Sequence, residues 1–206
     1  MEIVWKTAEA VAVLKEPGWS SQDGGGKSLP EALRQELGGK IYPVHRLDKP
    51  AGGLILYART EAAAAFYSRA MAEGKMHKEY LAAVKGKPEQ PSGRMEDLLY
   101  HDPRRNKTYV VTRRRRGVRE AALEYETVSE REGATLVRVR LLTGRTHQIR
   151  AQFASRGMPL LGDGPYGGGS GTLGLWSARL TFPLMGGGEM TLEANPPERE
   201  PWGRFR

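Results

Sequence analysis

The sequence predicts an α+β fold on a largely antiparallel, mixed sheet with flanking helices and loops. Three observations predict it. Short β-patterned runs follow one another through hairpin-like links. Only three stretches carry helix start and stop signals. Gly 26 and Pro 13 are high for 206 residues and supply the turns such a sheet needs.

The elements are read in order. Residues 11–15 form a short strand, stopped by Pro17 and Gly18. Residues 19–28 (WSSQDGGGKS) form a loop, and 29–37 a short helix with Pro30 in its first turn. Residues 54–58 form an apolar strand after Gly52 and Gly53. Thr60 caps a helix over 61–73, which Gly74 ends. Residues 78–84 and 134–142 are strands. In the second, Leu136, Arg138 and Arg140 alternate with Val137, Val139 and Leu141. Residues 106–112 and 119–129 are strands joined by a turn at 113–116. Thr146 caps a helix running to about residue 156, before Gly157. Residues 177–182 and 189–193 close as an antiparallel pair, and the last ten residues are rich in Pro and charge. No internal repeat or clean linker divides the chain, so residues 1–206 are expected to form one domain.

Composition narrows the function. Hydrophobic residues at 39% and charged residues at 27% fit a globular protein. The absence of cysteine excludes disulfides, thiolate metal sites and cysteine nucleophiles, and fits a reducing compartment. Residues 1–14 lack a secretory pattern, and no run approaches the roughly 20 apolar residues of a membrane span. The expectation is a cytoplasmic protein with no membrane partner. Lys plus Arg at 32 against Asp plus Glu at 24 gives a net +8, which favours a polyanionic partner. The charge concentrates at 104–119 (RRNKTYVVTRRRRGVR), with eight basic side chains and no acidic one. Arg113, Arg114, Arg115 and Arg116 form either a solvated hairpin tip or a phosphate-binding arm. Mutual repulsion of four guanidiniums favours the arm.

Three strings could carry chemistry. His45, Arg46, Leu47 and Asp48 precede a Pro-Ala-Gly-Gly turn that opens the apolar strand. A carboxylate there is either a structural ion-pair member or a reactive group. The string TGRTHQIR, residues 143–150, sits where a strand turns into a helix. Its basic side chains and the free amides of the first turn suit an anion, although an ordinary capped helix start reads the same way. Lys78 and Tyr80 lie on one face of their strand, with Tyr80 either a core aromatic or a base-stacking platform. Gly26, Lys27 and Ser28 imitate the end of a phosphate-binding P-loop. Ser21 stands where its first glycine belongs, so no nucleotide cofactor is expected. His45, His77, His101 and His147 show no i, i+4 pairing, so no metal site is expected.

Together these strings resemble the RluA-type pseudouridine synthases. HRLDKPAGGLILYA (45–58) is similar to that family's signature, KEYLAAVKG (78–86) to its Lys-x-Tyr strand, and LTGRTHQIRAQFASRGMPLLGDGPYG (142–167) to its third block. The opening VLKEPGW is similar to its Lys-Pro-x-Gly start, with Glu16 intruding. The order holds over residues 10–195. The resemblance implies a synthase catalytic fold with a central cleft. It implies isomerisation of uridine to pseudouridine in ribosomal or transfer RNA, without cofactor or metal. It implies Asp48 as catalytic carboxylate, Arg145 as its ion-pair partner, and Tyr80 stacking on the uracil. Arg46 would hold the space of the flipped base. His45, Lys78, His147, Gln148, Arg150 and the arginines at 113–116 would position RNA or contact phosphate.

The sequence departs from the family in carrying Ala51-Gly52 where a Thr-Ser pair is usual, and it contains no small S4 RNA-binding domain. A monomer is expected. Two other readings remain open: a non-catalytic RNA-binding module, and a nucleotide hydrolase using Asp48 with a metal.

Overall fold

The computed structural model describes residues 1–24 and 26–205. Gly25 of the expected loop 19–28 and Arg206 of the C-terminal stretch lie outside the described residues. In chain order the elements are β1 (Glu2–Lys6), β2 (Ala10–Lys15), α1 (Leu29–Leu37), β3 (Tyr42–Pro43), β4 (Gly52–Ala58), α2 (Glu61–Ala72) and β5 (His77–Lys85). Then follow β6 (Ser92–Asp102), β7 (Lys107–Val111), β8 (Val118–Arg131), β9 (Ala134–Leu141), α3 (Gln148–Ala154), β10 (Leu175–Pro183) and β11 (Glu189–Glu193). The fold is α+β, with mostly antiparallel strands, as the sequence indicates. The chain forms two compact units, Met1–Lys78 with Trp176–Pro196, and Glu79–Leu175 with Pro197–Arg206.

In the first unit the strand order is β1-β2-β4-β10, with β11 on β10 and β3 on β4. β4 pairs antiparallel with β2 but parallel with β10, through Trp176↔Gly52 and Ser177↔Gly53. β4 is buried along its whole length, which is why GGLILYA reads as a continuous apolar run rather than an alternation. α2 lays Ala63, Tyr67 and Ala70 against Leu54, Leu56, Leu180 and Phe182. Tyr67 meets Phe182 edge-on at 6.0 Å between ring centroids. Thr60 caps α2 by accepting from the Ala63 amide at 3.1 Å. Ser28 caps α1 by accepting from Glu31 N at 3.4 Å, so the hydroxyl of the P-loop look-alike starts a helix.

In the second unit the order is β5-β9-β8-β6-β7, antiparallel throughout. One face buries Met95, Leu99, Leu123, Val137 and Val139. α3 covers it, with Ala151 against Leu99 and Ala121, and Phe153 edge-on to Tyr125 at 5.7 Å. The opposite face carries the cross-strand pairs Arg138–Glu126 and Arg140–Glu124, both exposed and each of small energetic effect. Trp202, near the end of the chain, is buried in this unit.

Four elements correct the sequence reading: β1 and β3 are strands it does not contain, and β6 and α3 differ as follows. β6 is not expected from the sequence, because SGRMEDLLYHD shows no clean alternation. Its long antiparallel pairing to β8, from Ser92↔Glu126 to Tyr100↔Val118, makes it a strand. α3 begins at Gln148 and ends at Ala154, and Thr146 does not cap it. The N-cap is His147, in the left-handed region at φ 52°, with no side-chain cap bond.

Candidate active site

Asp48 stands on a tight turn of the first unit. Its carbonyl accepts from the Ala51 amide at 2.9 Å. Burial alternates before the turn: His45 and Leu47 are buried, Arg46 is exposed and Asp48 is half-buried. That alternation places the guanidinium and the carboxylate on the outward side of an extended segment.

The inward side is anchored. The Leu47 amide donates to Ser21 Oγ at 3.2 Å, and that hydroxyl donates back to the Leu47 carbonyl at 2.9 Å. His45 Nε2 accepts from the Leu56 amide at 3.1 Å, which fixes the neutral ring with its proton on Nδ1. Burial, and secondarily the Lys78 ammonium, push the His45 pKa down to about 3. His45 is therefore a neutral latch between the Asp48 segment and β4. Its expected place among RNA contacts conflicts with that burial.

Lys15, the lysine of the opening VLKEPGW string, is an anchor to which the sequence reading assigns no role. It ends β2, and its side chain is 0% exposed. Its Nζ donates to the carbonyls of Ala51 at 2.5 Å, Lys49 at 2.9 Å and Glu16 at 3.3 Å. Three donors meet three acceptors around the turn that carries Asp48. Burial lowers its pKa to about 8, and the negative charge of Asp48 opposes that shift. A lysine ending the apolar run AVAVL, just before Pro17 and Gly18, is the signal the sequence offers for it.

A pH prediction follows. Lys15 holds its proton less tightly folded than unfolded, so the cost of burying its charge is full below pH 8 and shrinks as pH rises toward 10.5. That cost is on the order of 3 kcal/mol. Thermal melts from pH 7.5 to 10 should therefore show wild type gaining on Lys15→Met as pH rises. Parallel melting curves would contradict it. At neutral pH Lys15→Met should still be the less stable protein, because buried carbonyls lose their donor at about 1–3 kcal/mol.

Lys78 is half-buried, and burial lowers its pKa. Tyr80 follows in β5, 5% exposed and paired with Val139.

The second unit holds the string 143–150. Arg145 is exposed, and its Nε donates to the Glu120 carbonyl at 2.9 Å. Gln148 organises the loop from inside. Its Oε1 accepts from Thr143 Oγ1 at 2.8 Å and from the Arg145 amide at 3.0 Å, and its Nε2 donates to Ala122 O at 3.0 Å. His147 Nδ1 lies 3.1 Å from the Tyr166 hydroxyl, which accepts from the Thr108 amide at 2.7 Å. Arg150 is 4% exposed and holds Asp163, at 1%, through Nε and Nη2, both at 2.8 Å. Its guanidinium lies 4.9 Å from the Tyr166 ring centroid. Gln148 and Arg150 are thus committed inside the protein, which conflicts with their expected RNA contacts.

The arginines at 113–116 are exposed between β7 and β8. Arg114 pairs with Glu120, and Arg115 stacks 4.6 Å from the Tyr100 ring centroid. Among the described residues no group of three His, Asp or Glu is placed to hold a metal ion, and no helix is long and apolar enough to cross a membrane.

Known proteins are similar to this chain. An uncharacterised RNA pseudouridine synthase of Haemophilus influenzae is 32% identical over 169 residues, which is 81% of this chain and 74% of that protein. Ribosomal large subunit pseudouridine synthase D of Zymomonas mobilis is 32% identical over 179 residues, 81% of this chain and 56% of that one. The chain spans 42% of a similar uncharacterised synthase of Aquifex aeolicus. Among solved structures, human RNA pseudouridylate synthase domain containing 1 superposes with TM-score 0.82 at 21% identity, covering 95% of this chain and 83% of that one. That likeness shows a shared fold. Residues 10–155, a span that includes Lys15, the Asp48 turn, Tyr80 and the 143–150 string, match the RNA pseudouridylate synthase family, and the chain belongs to it.

Proposed function

We propose that this protein isomerises uridines of ribosomal or transfer RNA to pseudouridine, with Asp48 as its catalytic carboxylate. Family membership carries the reaction. The anchored turn beneath a half-buried Asp48 supports the assignment of the residue: reactive groups need their geometry held by surrounding structure. The reaction balances without redox or hydrolysis. The bond from N1 to C1′ breaks, one from C5 to C1′ forms, the C5 hydrogen leaves to solvent and N1 gains a proton. The proposal accordingly includes no metal and no nucleotide cofactor.

The target uridine must first leave its stack, at a few kcal/mol. Arg46, exposed beside Asp48, suits the vacated space because a guanidinium stacks and donates at once. Tyr80 is assigned to the uracil and Arg145 to the charge of Asp48. Both assignments rest on the motif match. The proposal places one monomeric catalytic domain in the cytoplasm.

The test is tritium release from RNA labelled at uridine C5, taken from cells lacking this gene, in the presence of EDTA. Release supports the synthase. Binding without release supports a non-catalytic RNA module. Hydrolysis of the RNA without tritium release, restored only by a divalent ion, supports the metal-dependent hydrolase.

The arginine tip supplies a separate prediction. Arg113→Ala with Arg115→Ala should weaken RNA binding. It should also flatten the slope of log affinity against log salt by about 0.7–0.9 for each phosphate no longer neutralised. An unchanged slope would make the tip a solvated turn.

A further inference from the structure

A Gly-Gly step follows the turn that carries Asp48, where the chain has the greatest freedom to wander. The structure removes that freedom with the Trp176 side chain and the Ser177 backbone. Gly52 pairs in parallel with Trp176. A Cβ added at position 52 would lie 2.6 Å from Trp176 Cε3, closer still to Cζ3, and 3.3 Å from the Lys15 carbonyl. No side chain fits there, because the six-membered ring of the indole already fills the space. Gly53, at φ 107°, lies so close to Ser177 that its Cβ would meet the Ser177 amide at 2.5 Å. The two glycines are pressed flat on Trp176 and Ser177.

Trp176 is itself held. It is buried, and its Nε1–H donates to the Ala194 carbonyl at 2.9 Å. From the other side Lys15 holds Ala51, the residue before Gly52, at 2.5 Å. Ala51 in turn closes the turn onto the Asp48 carbonyl at 2.9 Å. The segment after Asp48 is thus gripped between an ammonium and an indole, four residues or fewer from the carboxylate.

We propose that Trp176 is a positioning residue for Asp48: its ring takes the side-chain space of position 52, and the Gly52–Trp176 pair fixes where the turn presents the carboxylate. The pair also accounts for glycine at 52, since the volume that a serine there would need belongs to the indole. The kinetic part of the test rests on the synthase reading, and the exchange part does not.

Four proteins decide it: wild type, Gly52→Ser, Trp176→Leu and the double variant. Three quantities are measured below the melting temperature of each: single-turnover tritium release, RNA affinity, and hydrogen exchange of the Ala51 amide. Each single variant should release tritium about 10²-fold more slowly, the scale of a catalytic group misplaced by roughly 1 Å. RNA affinity should hold, and the Ala51 amide should exchange faster. A merely structural role would lower the melting temperature while leaving the rate of the folded protein unchanged. The double variant should recover about tenfold over Gly52→Ser, because a smaller residue at 176 makes room for the serine.

Wild-type rate and Ala51 exchange in folded Trp176→Leu would overturn the proposal. So would a double variant that loses the product of the two single losses. Should Gly52→Ser not fold, Trp176→Leu and Trp176→Phe decide alone, by the same rate and exchange measurements. Should wild type release no tritium, the synthase reading fails, and the Ala51 exchange rate still decides the clamp.

Discussion

Asp48→Asn releases tritium from C5-labelled RNA about 10⁴-fold more slowly than wild type, or not at all, and binds RNA as tightly as before. The magnitude is that of removing one member of a catalytic group whose members act together. The amide keeps the shape of the side chain and loses its charge, so the substitution separates geometry from chemistry. Ser21, His45 and Lys15 hold the turn and its flank through backbone atoms, which an amide at position 48 leaves in place. The variant therefore folds, and its melting temperature stays close to wild type. RNA affinity has no reason to fall, because removing a negative charge beside a polyanion relieves repulsion. Since an asparagine can revert by deamidation, Asp48→Ala should be run beside it. Turnover well above background in both variants would remove Asp48 from the reaction.

The sequence reveals the fold best where local signals act alone. α1 is legible from Pro30 in its first turn and α2 from its Thr60 cap, signals that work through neighbouring residues. β4 and β9 are legible from apolar runs and alternation. β6 is not, because its charged residues are tolerated on an exposed face, and only the pairing with β8 makes it a strand. The cap of α3 is hidden for a related reason. Thr146 has the right side chain, but its carbonyl accepts from Thr108, 38 residues away. Gln148 turns back to accept from the Arg145 amide, which lies before the helix.

The site shows the same division. The motif strings are legible as strings, and the sequence marks Asp48 as a candidate reactive residue. It does not distinguish charged or polar residues that face outward from those that hold the loops. Arg46 and Asp48 are accessible, whereas His45, Gln148 and Arg150 are buried among partners distant in sequence. Lys15 lies in the opening VLKEPGW string and Trp176 in none, and neither position by itself points to Asp48. Their importance comes from strand register, which brings Gly53 opposite Lys15 and Gly52 opposite Trp176.

The buried pair Arg150–Asp163 gives the largest expected stability loss. Arg150→Met leaves the Asp163 carboxylate, 0% exposed as a side chain, without its bidentate partner. An uncompensated charge of this kind costs about 3–5 kcal/mol, a large share of the roughly 5–15 kcal/mol that holds a typical domain folded. The loss should appear as a lower midpoint in urea. Asp163 follows Gly162 and opens the short 3₁₀ turn Gly164–Tyr166, and Tyr166 lies against both Arg150 and His147. Freeing Asp163 should therefore loosen the left-handed His147 and the start of α3. Arg150→Met with Asp163→Leu removes both charges and should recover most of the midpoint, because the cost comes from the unpaired charge and not from the absence of the pair. The same variants test the phosphate-binding role that the sequence suggests for Arg150. An Arg150 that contacts phosphate would, when replaced, reduce the salt slope of RNA binding by about 0.7–0.9. An arginine buried against Asp163 leaves that slope unchanged in the folded double variant, and the burial of both residues makes the unchanged slope the expected result.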